Sequence, residues 1–346
     1  PRHGVRRQRQ MCIRDSNSGG PIYRGTVLGQ IANDDVLLPE INVVGDGDLS
    51  IANNDLQPSA DDGTDFGLVK VDSGSVAQVF TIENIGTDTL NLFNVALEGL
   101  SSSRYSVTSA PANSIAAGSS TTFEVTFDPN VPGPHEATVV ISNDDLDEPE
   151  YRFGISGTST DLEVESVEVN GGDSSRSRLE TVKVTFTGIV DHQSIGQAFE
   201  VRNLSNAQEI SSLLITPSDV GNKTEVLVSF GTPNQATVLD DGNYELRVLA
   251  ASVVTGGVMS YPMYENFHFG SDGADTVATD AFFRFFGDTD GDRDVDIYDY
   301  GVFSQSFLST TASPSFDAHL DVDDDGDIDG LDYGVFVQRV SKSLGV

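Results

Sequence analysis

Two aspartate-rich segments near the end of the chain share one spacing, and they constrain the fold more than any other feature. Residues 288–299 read DTDGDRDVDIYD, and residues 321–332 read DVDDDGDIDGLD. Each segment places an aspartate at positions 1, 3, 5, 9 and 12 of a twelve-residue stretch. Calcium takes roughly 6–8 oxygen ligands, and acids at this spacing let one short loop wrap them around an ion. The pattern predicts two calcium-binding loops.

The predicted ligands are oxygen atoms within these two loops. We expect position 7 to offer its backbone carbonyl, position 9 to act through a water molecule, and position 12 to supply a carboxylate from the start of a helix. A solvated acidic turn is the alternative, which the second copy with matching spacing disfavours. The sequence therefore predicts two calcium ions, held by Asp288, Asp290, Asp292, Asp294, Asp296 and Asp299 and by Asp321, Asp323, Asp325, Asp327, Asp329 and Asp332.

Positions 6 and 8 of the loops predict how each loop sits on its core. Position 8 is apolar in both copies, Val295 and Ile328, as a loop pinned onto a core requires. Position 6 needs a sharp turn, which Gly326 suits. Arg293 stands there in the first loop and predicts a more strained loop or a weaker metal site.

Aromatic and apolar residues recur at i, i+3 and i+7 after each loop. This spacing places them on one face of a short helix. We expect the two faces to pack against each other as a small core, formed by Tyr300, Phe303, Phe307, Tyr333, Phe336 and Val340.

The duplicated loop and helix resemble a type I dockerin over residues 286–343. The resemblance implies two calcium ions, pseudo-twofold symmetry and a cohesin as protein partner. Partner choice in that family lies at loop positions 10 and 11, which are Ile297-Tyr298 and Gly330-Leu331 here instead of a small hydroxyl pair. The partner of this dockerin-like, protein-interaction or anchoring module is therefore unidentified. The variant tail Asp-Tyr-Gly-x-Phe resembles C-terminal repeats of large secreted proteins of planctomycete-type bacteria.

Residues 39–159 alternate apolar and polar side chains, as half-buried strands do. Phe123, Val125 and Phe127 face one way in such a strand. Further strands are predicted at 76–84, 89–97, 105–109, 136–142 and 151–157. Residues 80–86, 115–129 and 140–145 resemble the choice-of-anchor D domain, an immunoglobulin-like (Ig-like) group related to Hydin, which implies a structural or adhesive sandwich.

Residues 160–270 repeat the alternation and predict a second Ig-like sandwich. Val182, Val184 and Phe186 form one buried face, and residues 226–230 form another. Residues 271–285 are predicted to link this unit to the dockerin-like module. The predicted fold class is thus mainly β, with two tandem Ig-like β-sandwiches followed by a small α-helical, EF-hand-like module.

The start of the chain differs from the rest. Residues 1–16 are basic and contain Cys12, the one cysteine. The run 11–16 resembles a translated adapter sequence, and we interpret 1–16 as non-native; a native basic arm is the alternative. Residues 17–38 resemble the last strand of an upstream β-sandwich. No run reaches the ~18 apolar residues of a membrane span.

The net charge and the motifs of the sequence argue against several classes of function. The net charge of −35 disfavours nucleic-acid binding, because phosphates need a basic surface. The five histidines are scattered, and no metal-protease, nucleophile-elbow or phosphate-loop motif occurs. Asp46-Gly-Asp48 and the acids of 61–65 are interpreted as turns. Two further clues, abundant carboxylates and little lysine, favour an extracellular location.

The sequence thus predicts a non-catalytic, calcium-binding, secreted or cell-surface modular protein. Its sandwiches would serve as spacers or adhesive domains. The alternative is the C-terminal, non-catalytic part of a secreted polysaccharide-degrading enzyme whose catalytic domain lies upstream.

Overall fold

Strands dominate the computed structural model, and α-helix within its described residues is confined to the part after residue 296. The mainly β class is therefore confirmed. The predicted non-native segment 1–16 and residues 17–37 of the predicted upstream strand lie outside the described residues, as do residues 271–281 of the predicted linker. The structure describes residues 38–232, 235–236, 238–257, 260–270 and 282–345.

The first β domain contains ten strands and covers residues 41–160. They are β1 (Ile41–Val44), β2 (Ser50–Ile51), β3 (Asp65–Lys70), β4 (Val76–Asn84), β5 (Leu90–Glu98), β6 (Tyr105–Ser109), β7 (Ser114–Ile115), β8 (Ser120–Phe127), β9 (Gly133–Asn143) and β10 (Glu150–Thr160). Two five-stranded sheets result, in the orders β2-β1-β4-β8-β6 and β3-β10-β9-β5-β7. Pairing is antiparallel except between β10 and β3. The predicted strands are confirmed.

The inner faces of these two sheets form one core. Phe123, Val125 and Phe127 are fully buried, as the alternation of β8 predicts. Phe80 of one sheet meets Phe153 of the other with ring centroids 5.3 Å apart. Each fully buried side chain of this size contributes about 1.5–3 kcal/mol.

The second β domain is built the same way over residues 164–270. A strand from beyond this range, β20, adds to one of its sheets. The strands are β11 (Val164–Val169), β12 (Thr181–Phe186), β13 (Phe199–Asn203), β14 (Gln208–Glu209), β15 (Leu213–Val220), β16 (Lys223–Thr232), β17 (Gln235–Ala236), β18 (Gly242–Val248), β19 (Phe267–Phe269) and β20 (Phe283–Arg284). One sheet has the order β11-β12-β16-β15, with β17 beside β16, and the other the order β14-β13-β18-β19, with β20 beside β18. Val182, Val184 and Phe186 are buried between them, as predicted.

The terminal module covers residues 286–345. It contains β21 (Asp294–Val295), α1 (Ile297–Ser306), α2 (Gly330–Val337) and β22 (Lys342–Ser343). Phe303 of α1 and Phe336 of α2 stack with centroids 4.4 Å apart, so the predicted contact between the helices is confirmed. The other four residues of the predicted core lie at its edge and remain 38–43% exposed. Phe307 and Val340 lie beyond the helix ends. Both helices end before these residues because the chain turns shortly after them, at Leu308 and Ser341, which both adopt a positive φ.

Each calcium-loop segment pairs with the tail that follows the helix of the other repeat. Ser341, after α2, donates its amide to the carbonyl of Val295 in the first loop at 2.7 Å. Leu308, after α1, donates to the carbonyl of Ile328 in the second loop at 2.8 Å. The apolar side chains at position 8 are fully buried, as predicted. The two repeats are therefore interlocked and not merely adjacent.

Candidate metal centre

The first loop is folded around the carboxylate at its position 1. Asp288 is fully buried. Its Oδ1 accepts a hydrogen bond from the amide of Gly291 at 2.7 Å, and its Oδ2 accepts one from the amide of Arg293 at 3.0 Å. Asp292 accepts from the amide of Asp294 at 3.1 Å. These bonds curl the backbone so that side chains at alternate positions turn inward.

The second loop repeats the bonds from the amides of positions 6 and 7, but its position-1 carboxylate accepts from the amide of position 5 instead of position 4. Asp321 accepts from the amide of Gly326 at 2.9 Å and from that of Asp325 at 3.3 Å. Asp325 in turn accepts from the amide of Asp327 at 3.1 Å. The aspartate spacing, which the two loops share, thus produces one backbone conformation twice.

The carboxylate at position 12 closes each loop. Asp299 Oδ1 accepts from the amide of Thr289 at 2.7 Å, and its Oδ2 accepts from the amide of Asp296 at 2.8 Å. Asp332 makes the corresponding bond with the amide of Val322 at 2.7 Å. Both carboxylates are buried. Aspartate is therefore long enough at this position to reach back to the start of its loop.

The acids at position 9 begin the helices. Asp296 and Asp329 are the N-cap residues of α1 and α2, and their side chains accept from the amides of Tyr298 and Leu331 at 2.7 Å each. With the position-12 carboxylates these caps form capping boxes, which satisfy backbone amides that a helix start leaves unpaired. Positions 9 and 12 thus fix the helices as well as the loops.

Carboxylate oxygens gather in three groups within the loops, in which one oxygen from each residue lies within 4.8 Å of the others. The remaining predicted ligands, Asp292, Asp327, Asp329 and Asp332, join no such group. In calcium loops some residues bind the ion through a water molecule or through a backbone carbonyl, and such residues do not need a carboxylate oxygen within this distance of the others. The groups are Asp288, Asp290 and Asp299; Asp294, Asp296 and Asp299; and Asp321, Asp323 and Asp325.

Crowding of negative charge perturbs these carboxyls. Burial, with smaller contributions from the charges of Asp299 and Asp292, raises the pKa of Asp288 to about 6, although the hydrogen bonds from the amides of Gly291 and Arg293 oppose the shift. Burial and neighbouring aspartates also raise the pKa values of Asp290 and Asp323. Without a cation, these loops hold carboxylates that repel one another.

The donor set fits calcium. Hard oxygen ligands in a tight loop are what calcium prefers, whereas zinc and copper favour nitrogen and sulfur. Asp294 Oδ1 is buried and accepts no hydrogen bond from the described residues, although a buried carboxylate oxygen normally has a partner. A cation in the first loop would satisfy it.

Position 6 shows how the first loop tolerates its arginine. Arg293 and Gly326 adopt the same left-handed conformation, with φ of 77° and 87°. The Arg293 side chain leaves the loop: its guanidinium carbon lies 4.2 Å from the centroid of the Phe283 ring, and it donates to Asn243 Oδ1 at 2.6 Å. The positive φ of Arg293 is thus accompanied by side-chain contacts outside the loop, including the hydrogen bond to Asn243 of the second β domain.

Position 4 was missed by sequence reasoning. Asp324 breaks the alternation of the second ladder, and its carboxylate points away from the loop to Arg178 of the second β domain. The broken alternation was the available signal. Gly291 holds the equivalent place in the first loop, with φ of 81° beside 57° for Asp324.

Other acidic clusters of the described residues lie in the first β domain. The acids at 46–48 lie in a single 3-10 turn, and Asp61 and Asp62 lie in a turn as predicted, whereas Asp65 begins β3; Asp62, for example, accepts from the amide of Thr64 at 3.0 Å. Glu40, Asp145 and Asp147 approach within 4.8 Å at the β9–β10 hairpin. Asp145 is buried and accepts from the amide of Ile41 at 3.0 Å, so it has a structural role in holding β1.

The four described histidines lie apart from one another in separate local contacts; His3 lies outside the described residues. His135 contacts Ser159, His192 contacts Asp219, His268 contacts Glu245, and His319 contacts Asp317. The groups of metal-ligand type found among the described residues consist of carboxylates alone.

Two segments match known protein families. Residues 59–158 match the HYDIN/CFA65/VesB-like Ig-like domain, and residues 286–341 match the dockerin type I domain. The chain is thus a modular protein that carries an Ig-like domain and a dockerin type I domain. Dockerin type I domains bind calcium and cohesin partners and occur in extracellular or cell-surface bacterial proteins. No curated protein matches the chain.

Solved structures match parts of the chain at low identity. A protein of unknown function from Porphyromonas gingivalis is 21% identical over 28% of this chain and 44% of that one, with a TM-score of 0.24. The VesB protease of Vibrio cholerae is 19% identical over 28% and 29%, with a TM-score of 0.22. The PapD-like domain 7 of human CEP192 is 15% identical over 42% and 100%, with a TM-score of 0.22. The match spans less than half of the first two proteins.

No helix among the described residues combines the length and the apolar character needed to cross a membrane.

Proposed function

We propose that the terminal module binds two calcium ions and serves a non-catalytic, secreted or cell-surface protein as its interaction module. The two β domains, both of Ig-like type in this proposal, act as spacers or adhesive units. The clustering of predicted ligands around the buried Asp288 and Asp321 is the observation that carries the proposal.

The residues that would hold the ions are the predicted ligands of each loop, with side-chain oxygens from the groups that already converge. Asp288, Asp290 and Asp299 supply them in the first loop, and Asp321, Asp323 and Asp325 in the second. Calcium supplies positive charge that offsets the repulsion among these carboxylates, so binding and folding of the module are coupled.

Calorimetric titration of the chain with calcium tests this function. We expect two binding events per chain. Asp290→Asn and Asp323→Asn should each weaken one event, because each removes one charge from one group. Asp61→Asn, which removes an exposed carboxylate in a turn of the first β domain, is the matched control. A chain that takes up no calcium would refute the proposal.

The partner surface in this proposal includes loop positions 10 and 11. Ile297, Tyr298 and Leu331 expose 70%, 74% and 63% of their surface, and apolar side chains this exposed are typical of interaction sites when they cluster. Titration with a cohesin domain tests whether this partner binds. Loss of binding in Tyr298→Ala, with Leu100→Ala of the first β domain as an exposed control, would place the contact on this face; an absence of binding would exclude that cohesin.

A further inference from the structure

The second β domain touches the first calcium loop through its backbone. The amide of Arg176 donates to the carbonyl of Asp288, which is position 1 of the loop, at 3.0 Å. The amide of Phe285 donates back to the carbonyl of Arg176 at 3.0 Å. The amide of Gly287 donates to Ser177 Oγ at 2.9 Å. The segment 174–178, between β11 and β12, thus runs beside the entrance to the loop.

Both calcium loops contact this one segment through position 4. Gly291 of the first loop approaches so closely that a Cβ would lie 2.4 Å from the carbonyl oxygen of Ser174. Asp324 of the second loop accepts two hydrogen bonds from the guanidinium of Arg178, at 2.5 and 2.8 Å. Position 4 carries no predicted calcium ligand. Both loops therefore contact segment 174–178 through a residue that calcium binding does not require.

A single carboxylate of the second β domain joins the entrance and the exit of the terminal module. Asp241, just before β18, pairs with Arg284 at 2.7 Å and with Arg339, after α2, at 2.5 Å. It also accepts from the amide of Phe286 at 2.9 Å. Both guanidinium groups lie over the Phe286 ring, at 5.7 and 5.6 Å. Arg284 is buried, so this pairing is sheltered from water.

The aromatic run 282–286 belongs to both cores. Phe282 lies in the core of the second β domain, with its centroid 5.7 Å from that of Tyr244. Phe283, Phe285 and Phe286 lie in the core of the module. A displacement of the module therefore pulls on buried side chains of both units.

We propose that the second β domain is part of the calcium-binding unit. Docking of the terminal module on segment 174–178 and Asp241 stabilises calcium binding by the two loops, and calcium binding stabilises this docking. This inference rests on the proposed calcium binding. Docking requires the loop conformation that presents the carbonyl of Asp288 and the side chain of Asp324, and calcium stabilises that conformation. By linkage, docking raises the calcium affinity by the same factor by which calcium stabilises docking, so a variant whose module no longer docks must lose calcium affinity by that factor.

Calorimetric calcium titration of the full chain tests the coupling. Asp241→Asn leaves every predicted ligand in place and removes the charge that holds Arg284 and Arg339. We expect calcium affinity to fall by at least about fivefold, the lower end of usual couplings between sites. Asp240→Asn, the same change at an exposed neighbour, should leave the affinity unchanged. Arg178→Gln, on the other contact, is the second variant and should also weaken binding.

Hydrogen exchange on the unaltered chain provides a measurement that needs no variant. The amides of Phe285, Phe286 and Gly287 donate into the second β domain. They should be protected in calcium and should lose protection in chelator, while amides of β8 in the first β domain stay protected in both.

The outcomes separate the two proposals. If the chain binds calcium, but Asp241→Asn and Arg178→Gln bind it with unchanged affinity or the three amides keep their protection in chelator, the coupling is wrong and the calcium function stands. If the chain binds no calcium, both fall. Should Asp241→Asn fail to fold, Arg178→Gln and the exchange measurement still decide.

Discussion

Phe303 and Phe336 occupy the same position in the two repeats of the terminal module, and their rings stack with planes 28° apart. Both are fully buried. They form the centre of a small core to which each repeat contributes equally, so each helix depends on the other for burial of its main aromatic residue.

Phe303→Ala should therefore destabilise the module strongly. Removing a buried phenylalanine costs about 3–5 kcal/mol, and a small module has little stability to lose. Scanning calorimetry in saturating calcium should show the module transition lowered or lost. Phe93→Ala, at a side chain that is 69% exposed in the first β domain, is the control and should cost little. Equal effects of the two changes would contradict this packing.

Removal of calcium should loosen the module and leave the sandwich cores folded. The carboxylates of each loop repel one another without a cation, whereas the cores of the β domains contain no predicted ligand. Circular dichroism in chelator should lose helical signal and retain strand signal, and added calcium should restore it. An unchanged spectrum and unchanged melting would show that the loops hold their shape without metal.

Two glycines of the module should respond in opposite ways to alanine. Gly287 has φ of 97°, and a Cβ would lie 2.9 Å from the Phe336 ring, so Gly287→Ala should destabilise the module by about 1–3 kcal/mol. Gly334 lies inside α2, where a Cβ meets nothing within 4 Å, so Gly334→Ala should stabilise it by about 1 kcal/mol. Melting temperatures in calcium check both signs; a stabilising Gly287→Ala would refute the close approach.

His135 should make the first β domain sensitive to acid. Burial lowers the pKa of His135 below its ordinary value of 6.5, and the charge of Arg104 lowers it further, although a bond to the Val131 carbonyl opposes them. A lowered pKa favours the neutral ring in the folded state. The resulting stability is complete above about pH 6.5 and is lost as pH falls toward the lowered pKa.

Calorimetry between pH 7.5 and 5 should show this loss as a falling transition temperature of the first β domain. His135→Gln, which lacks the titration, should flatten the slope, whereas His192→Gln, in the second β domain, should leave the transition of the first β domain unchanged. An NMR titration that gave His135 a pKa above 6.5 would contradict the assignment.

Local patterns made the strands and loops predictable. Alternation along β8 identifies its buried face because side-chain direction in a strand has period two. The aspartate spacing identifies the loops because a single short segment supplies most contacts. Asp324 shows the limit of such reading: its role depends on Arg178, a residue 146 positions away.

Long-range docking left no readable signal in the sequence. Asp241 and Arg339 are 98 positions apart, and each lies in a stretch with its own local explanation, a turn and a helix end. Phe282, Phe283 and Phe285 lie at the end of the predicted linker 271–285 and Phe286 begins the predicted module, and the spacing of these rings has no helix or strand periodicity. Which of these rings enters which core depends on the approach of two already folded units, and the sequence does not encode that locally.

The reciprocal pairing of loops and tails means that one repeat alone is a half-site. The carbonyl of Ile328 needs the amide of Leu308, and that of Val295 needs the amide of Ser341. A single repeat would expose a loop edge and a tail edge that are complementary to those of another copy. Such a fragment should assemble into a symmetric homodimer, so the tandem arrangement acts as a covalently tethered dimer whose two halves need not be identical, as Arg293 and Gly326 at position 6 show.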